Sequence, residues 1–194
     1  MPRIARQIIS NLPHHVIQRG NRRQDVFFEA SDYRMYLALM KEQEALGDFV
    51  IHAYCLMQNH VHLIATPSHE MGLRRIGEAH RRYTRYINKK KQWRGYLWQG
   101  RFSSYPMDEA YAYEAIRYVE LNPVVAGICK HPSEYRWSSA RQRVGKDGSL
   151  DYKVRALEKH QFAIGTWEDY WAEGLGRKQA LEEFLGRGDN NSTN

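Results

Sequence analysis

Apolar residues recur along this chain in two periods, and the switches between them mark out its elements. His14 to Gln18 suit a short strand, and Arg19-Gly20-Asn21-Arg22-Arg23 then reads as a turn. After Ser31-Asp32, the residues Tyr33, Tyr36, Leu37, Met40 and Leu46 fall near the 3.6-residue spacing of a helix, which Gly47 stops. Phe49 to Met57 is rich in β-formers, Gln58-Asn59 makes a turn, and the strand that follows ends at Pro67. Leu73, Ile76, Ala79, Tyr83 and Ile87 draw a second helical stripe over 71–91. Arg101 to Pro106 predicts a fourth strand, at an edge because proline cannot donate to a ladder. A third helix follows Asp108-Glu109, acids that suit a helix N-terminus. It runs through Tyr118 and should stop near Asn122-Pro123, since the residue before a proline disfavours the α region.

Strand, helix, strand, strand is the opening of a ferredoxin-like α+β fold, an antiparallel sheet with helices packed on it. The main domain is expected over 1–140, with a loop or boundary at 138–151. A mainly helical C-terminal extension occupies 141–194, with a helical patch over 178–185 and a polar tail from Gly188 expected to be disordered.

Composition narrows the class. The 194 residues fit one ordinary domain with an appended piece, and 42% apolar residues suffice for a core. Twenty-nine Lys and Arg against 22 Asp and Glu give a net charge of +7, which favours a polyanionic partner, most often nucleic acid. No apolar run approaches the ~18 residues of a spanning helix. Met1-Pro2-Arg3-Ile4-Ala5-Arg6 lacks the apolar segment of a secretory signal, so no membrane role is expected. Cys55 and Cys129, with no CxxC spacing, read as buried thiols in a reducing compartment, and the expected location is the cytoplasm.

The positive charge is concentrated. The 71–91 helix carries Arg74, Arg75, Arg81, Arg82, Arg85, Lys89, Lys90 and Lys91 against the single acid Glu78. Solvated faces mix both signs, and this one suits contact with phosphates. Trp93, Tyr96, Trp98 and Phe102 follow, interleaved with Arg94 and Arg101. Aromatics among cations suit stacked, unpaired bases, although each ring could equally be core.

The chemistry gathers on Asn59-His60-Val61-His62-Leu63-Ile64. On a strand, residues two apart share a face, so the two imidazoles emerge together, about 6.5–7 Å apart, and can converge on one ion. Tyr118 and Asn122, at i and i+4, share one face of the third helix. An amide oxygen suits Mg²⁺ or Mn²⁺, and Mn²⁺ tolerates imidazole. If that helix packs over the histidines, Asn122 becomes a third ligand and Tyr118 lies beside the metal. A free phenol, of pKa about 10, is mostly protonated at neutral pH, and a cation that polarises the scissile phosphate lowers the demand on it. The plainer reading is a core tyrosine and a helix-stop asparagine, and the residues alone leave both open.

Taken together, Asn59-His60-Val61-His62-Leu63-Ile64, Trp98-Gln99-Gly100-Arg101-Phe102, Tyr118-Val119-Glu120-Leu121-Asn122-Pro123-Val124 and Tyr135-Arg136-Trp137-Ser138-Ser139 resemble the REP-associated tyrosine transposases. These are single-tyrosine HUH endonucleases related to the transposases of the simplest bacterial insertion sequences. Gln18-Arg19-Gly20-Asn21 is similar to the family's first strand and turn, and the resemblance spans roughly positions 11 to 140. It implies that His60 and His62 are the metal-binding pair, Tyr118 the nucleophile and Asn122 the polar ligand one turn on, where the insertion-sequence relatives carry Gln. It implies a divalent metal, Mg²⁺ or Mn²⁺, and attack on a single-stranded DNA phosphodiester that leaves a 5′-phosphotyrosine and a free 3′-OH. The expected partner is single-stranded or hairpin DNA of repetitive extragenic palindromes. Its recognition would fall to the N-terminal arm and the basic helix, with Arg19, Arg22, Arg23, Arg74, Arg75, Arg81, Arg82, Arg85, Lys89 and Arg101 as contacts. Insertion-sequence relatives are dimers that exchange the tyrosine helix, whereas REP-associated members act as monomers in cis. Between monomer and homodimer the resemblance favours the monomer. A DNA-binding regulator without cleavage is the competing function. A structural zinc protein is disfavoured because no cysteine joins the histidines.

Overall fold

The computed structural model describes residues 7–146, 152–157 and 166–176. Both sequence periods fold as expected. Strand β1 is His14–Arg19, followed by a 3-10 turn at Asn21–Arg23 and helix α1, Ala30–Glu44. Strands β2 (Phe49–Met57) and β3 (His60–Pro67) precede α2 (Arg74–Lys91), β4 (Ser103–Pro106) and α3 (Glu109–Val125). A second 3-10 turn, Pro132–Glu134, leads to the short α4 (Ala140–Arg143), and α5 is Trp167–Gly176. The strands make one antiparallel sheet in the order β2-β3-β1-β4, so β4 is an edge strand.

Helices cover both faces of this sheet. Val16, Ile51, Tyr54, Leu56, Val61 and Leu63 pack beneath α1 and α2, against Tyr36, Met40, Ile76, Ala79, Tyr83 and Ile87. Ala53, Cys55, Met57 and Ile64 face the other way, against Ala112, Ile116 and Val119 of α3 and Tyr170 and Trp171 of α5. Double coverage explains why β2 reads as an unbroken apolar run and not as an alternation. A bulge at His52 shifts the register from Ile51↔Ala65 to Ala53↔Ile64, which keeps both faces filled.

The third helix runs past its expected stop. Pro123 lies inside α3, which continues to Val125. In the last turn a proline forfeits one backbone bond, and the surrounding packing holds Asn122 and Pro123 in helical conformation despite it. The stop is Gly127, at φ +70°. The Gly127 amide donates to the Val124 carbonyl and the Ile128 amide to the Pro123 carbonyl, each at 2.9 Å, which closes a Schellman motif.

The described residues beyond 146 belong to the same body. Tyr152 joins the core under α1, and α5 packs on α3. The expected helical patch at 178–185 and the tail from Gly188 lie outside the described residues. The anchor of this end of the chain is Glu120 on α3, fully buried. Its carboxylate accepts from Ser139 Oγ at 2.7 Å, Arg143 Nε at 3.0 Å and Trp171 Nε1 at 3.0 Å. Removing one partner of a buried ion pair strands the other. Glu120→Ala should therefore cost about 3–5 kcal/mol in urea unfolding, while Glu109→Ala at the exposed start of α3 stays within about 0.5 kcal/mol.

Candidate active site

Antiparallel pairing sets which β1 residues stand beside the histidines of β3. Cα partners are Arg19↔His60, Ile17↔His62 and His15↔Ile64, so His15, Ile17 and Arg19 share the face of His60 and His62. That is the face α3 covers. The His60 and His62 ring centroids lie 4.9 Å apart. Tyr118 presents its ring edge-on to His62 at 5.8 Å and to His15 at 6.1 Å. The phenol and both imidazoles come from one chain. Asn122, one turn further on, donates its amide to the Tyr118 carbonyl at 3.4 Å, which leaves its oxygen as the atom able to meet a cation.

The ring nitrogens are arranged unevenly. His60 Nδ1 lies 2.6 Å from Asn59 Oδ1, and Asn59 Nδ2 donates to the Arg23 carbonyl at 3.3 Å. The amide oxygen can only accept, so in a neutral His60 the proton sits on Nδ1 and Nε2 is the nitrogen left unprotonated. His62 Nδ1 lies 2.9 Å from His15 Nε2, with the two rings stacked at 5.1 Å. Burial pushes His15 down to about 4. His62 falls well below its ordinary range, first through burial and then through the neighbouring His15, His60 and Arg19. Both are neutral imidazoles at pH 7, the form a metal requires. Among the described residues no three His, Cys, Asp or Glu side chains group to hold a metal. A cation here would draw on His60 Nε2, His62 Nε2 and the Asn122 amide oxygen, with substrate or water oxygens beyond them. Those donors fit Mg²⁺ or Mn²⁺.

His15 is the residue that sequence reasoning missed. Its strand and its doublet with His14 were visible, but the β1–β3 register decides which of the two faces Tyr118. His14 turns the other way, with Nδ1 at 2.8 Å from the Leu12 carbonyl. The remaining buried histidines are bound into the fold: His52 to Thr66 Oγ1 and His80 to the Tyr36 hydroxyl, each at 2.9 Å.

The expected DNA contacts divide into two groups. Arg75 pairs with Asp48 at 2.6 Å and Arg82 with Glu42 at 2.6 Å, while Lys90 pairs with Glu29 and Asp32. Arg74, Arg81, Arg85 and Arg101 line a cleft of about 560 Å³ between α2 and residues 95–102, with no carboxylate in its lining. Of these four, Arg81 also meets Glu78 at 2.5 Å. Gly77, Thr84 and Asn88 continue the α2 wall, and Trp98, Phe102 and the 86% exposed Tyr96 supply aromatic surface. Gln18 also lines the cleft, so it opens on the face of the sheet opposite Tyr118. Lys89 is exposed on the last turn of α2, as are Arg22 and Arg23 in the 3-10 turn, while Arg19 stands across from His60.

Residues 8–122 match the family model described as IS200-like transposase. Among solved structures, a REP-associated tyrosine transposase bound to a REP hairpin aligns with a TM-score of 0.63 at 21% identity, covering 85% of this chain and 97% of that one. A search of the curated proteins finds no match.

The buried imidazoles make stability depend on pH. His15 ordinarily titrates near 6.5 and is held at about 4 in the fold, so between these values the unfolded chain binds more protons. Stability is complete above about pH 6.5 and drains away as the pH falls toward 4. The loss is on the order of 3 kcal/mol from His15. Urea unfolding of chelator-treated protein at pH 7.5, 6 and 5 should follow that slope, and His15→Phe should flatten it.

Proposed function

The chain belongs to the IS200-like transposases, and from that premise we propose that it cleaves and rejoins single-stranded DNA through Tyr118. The observation that carries the proposal is the packing of Tyr118 against His62 within one chain, with His60 alongside. In this reading the Tyr118 hydroxyl attacks a phosphodiester and forms a 5′-phosphotyrosine bond. The P–O3′ bond breaks, and the departing oxygen takes up a proton, equivalent to the one the phenol releases, as a free 3′-OH. The bond energy is kept in the phosphotyrosine, so the reverse attack by a 3′-OH rejoins the strand without an external energy source. His60, His62 and Asn122 would hold Mg²⁺ or Mn²⁺, which when bound polarises the phosphate and offsets the charge that builds on it. Arg19, across the ladder from His60, adds fixed positive charge on the same face. Because Tyr118 meets imidazoles of its own chain, the reading favours a monomer acting in cis, in the cytoplasm.

For the substrate we take hairpin DNA of the repetitive extragenic palindrome type, held by the basic surface of α2. The solved relative with its bound REP hairpin supports this, and so does the acid-free cleft. The cleft and Tyr118 occupy opposite faces of one sheet, so bound DNA would pass from one face to the other around the exposed Arg22 and Arg23. Residues 1–140 would carry this machinery, and Arg143 and Trp171 beyond them brace α3 through Glu120.

The decisive experiment incubates the protein with 3′-labelled hairpin DNA and Mn²⁺ and looks for an adduct that survives denaturant. We expect the adduct with wild type and none with Tyr118→Phe. An adduct formed equally by Tyr118→Phe overturns the assignment, and binding without cleavage in any divalent metal favours the regulator. The recognition surface has its own signature. Replacing Arg85 and Arg101 together with Ala should weaken hairpin binding and lower the log–log salt slope by about 1.5, at roughly 0.7–0.9 for each phosphate no longer neutralised. Arg75→Ala, whose guanidinium is already committed to Asp48, should change the slope by less than about 0.5.

A further inference from the structure

Two imidazoles that share one hydrogen bond can be protonated in two ways. In the first, His62 Nδ1–H donates to His15 Nε2, the proton of His15 sits on Nδ1, and His62 Nε2 is unprotonated. In the second, His15 Nε2–H donates to His62 Nδ1, and the His62 proton moves to Nε2, which can then ligate nothing. The 2.9 Å contact fixes the pairing without choosing between them. His60 has no such freedom, because the Asn59 amide that it meets is itself oriented by the Arg23 carbonyl.

His15 is fully buried and stacked on His62 with 22° between the ring planes. Its Nδ1 is buried and has no hydrogen-bond partner among the described residues. A core histidine kept for packing alone satisfies both nitrogens, as His52 and His14 do through carbonyls, amides or hydroxyls. His15 instead commits its one satisfied nitrogen to a side chain that faces Tyr118. When it accepts the His62 proton, its own sits on the buried Nδ1 without an acceptor among the described residues, a cost that a histidine kept for packing alone would avoid.

We propose that His15 is a positioning residue: it accepts the Nδ1 proton of His62, fixes that ring's orientation, and holds Nε2 unprotonated toward the Tyr118 side for a divalent cation. The proposal rests on the metal reading of His60 and His62 given above. His15 touches neither cation nor substrate and acts through His62, while its ring also meets the Tyr118 ring edge-on. Outer-sphere partners of this kind change metal affinity by roughly 10–100-fold when removed.

The test measures Mn²⁺ affinity by electron paramagnetic resonance and, before any metal is added, imidazole protonation by ¹⁵N NMR, on the full chain without DNA. His15→Phe should weaken Mn²⁺ binding by roughly 10–100-fold. His15→Gln places an amide oxygen near the position of Nε2 and should recover most of the affinity. The wild-type spectrum should show His62 protonated on Nδ1, with no proton on Nε2. Two results overturn the inference while leaving the metal site standing: His15→Phe binding Mn²⁺ within twofold of wild type, or His62 protonated on Nε2 in the metal-free wild type. If His15→Phe does not fold, the wild-type spectrum alone decides. A wild type that binds no Mn²⁺ removes the metal reading and this inference with it, whereas the Tyr118→Phe adduct assay reports on the nucleophile separately.

Discussion

Everything at the candidate site depends on α3 lying flat on one face of the sheet and excluding water from β1 and β3. An imidazole left in water near neutral pH is partly protonated and cannot ligate. Under α3, burial makes the charged form costly, and His15 and His62 are held neutral. The same helix carries Tyr118, so one packing contact both dries the imidazoles and delivers the phenol to them. That contact is secured from behind. Glu120 points away from the site and ties α3 to Ser139, Arg143 and Trp171, which gives the described C-terminal residues a mechanical part in holding the phenol in place.

The order and type of the elements were legible because each follows from a short-range rule. Alternation or unbroken apolarity marked the strands, the 3.6-residue stripe marked α1 and α2, and the acids at 108–109 marked the start of α3. The end of α3 was misread because Pro123 outweighed Gly127 in a local reading. The cost of one proline in a last turn is small beside the burial of Val119 and Leu121 against the sheet and α5. The spacing of His60 and His62 was legible for the same reason as the strand itself. His15 was not, because its part in the site comes from pairing with residues nearly fifty positions away. Register is a long-range property, and a shift by one residue would have put His14 in its place.

Charge shows the same division between local and non-local. Along the chain, α2 carries eight cations against one acid, which points to a uniform basic face. In the fold, Asp48, Glu42, Glu29 and Asp32 arrive from other elements and pair with Arg75, Arg82 and Lys90. The surface pairs Arg75–Asp48 and Arg82–Glu42 contribute little to stability. Their larger effect is on the field, since they cancel charge on one flank of the helix and leave the flank at the cleft positive. Arg74, Arg81 and Arg85 of α2, with Arg101 opposite, thereby border a hollow lined by aromatic rings. A patterned field of this sort orients a polyanion as well as attracting it.

The cleft and the His–Tyr centre are joined by a short, tightly held piece of backbone. Asn21 and Gln24 both donate to the Leu97 carbonyl, at 2.8 and 3.1 Å, and Leu97 lines the cleft. On the other side, the Arg23 carbonyl accepts from Asn59, whose oxygen meets His60. Between these anchors Arg22 and Arg23 sit at φ of 53° and 60°, a region that costs a non-glycine residue energy and persists only where the surroundings impose it. Gly20 begins the turn, and no larger residue fits there, because an added Cβ would lie 2.1 Å from the Gln24 carbonyl oxygen. Strain held at this point serves both neighbours at once. It presents two exposed guanidinium side chains on the rim between the faces, and it aims the one carbonyl that orients Asn59 and, through it, the protonation of His60. A relaxed turn would spare the backbone cost but free Asn59 to flip, and the imidazole it faces would then lose its fixed donor nitrogen. Backbone strain at Arg22 and Arg23 is thus held at the point that orients the Asn59 amide toward His60.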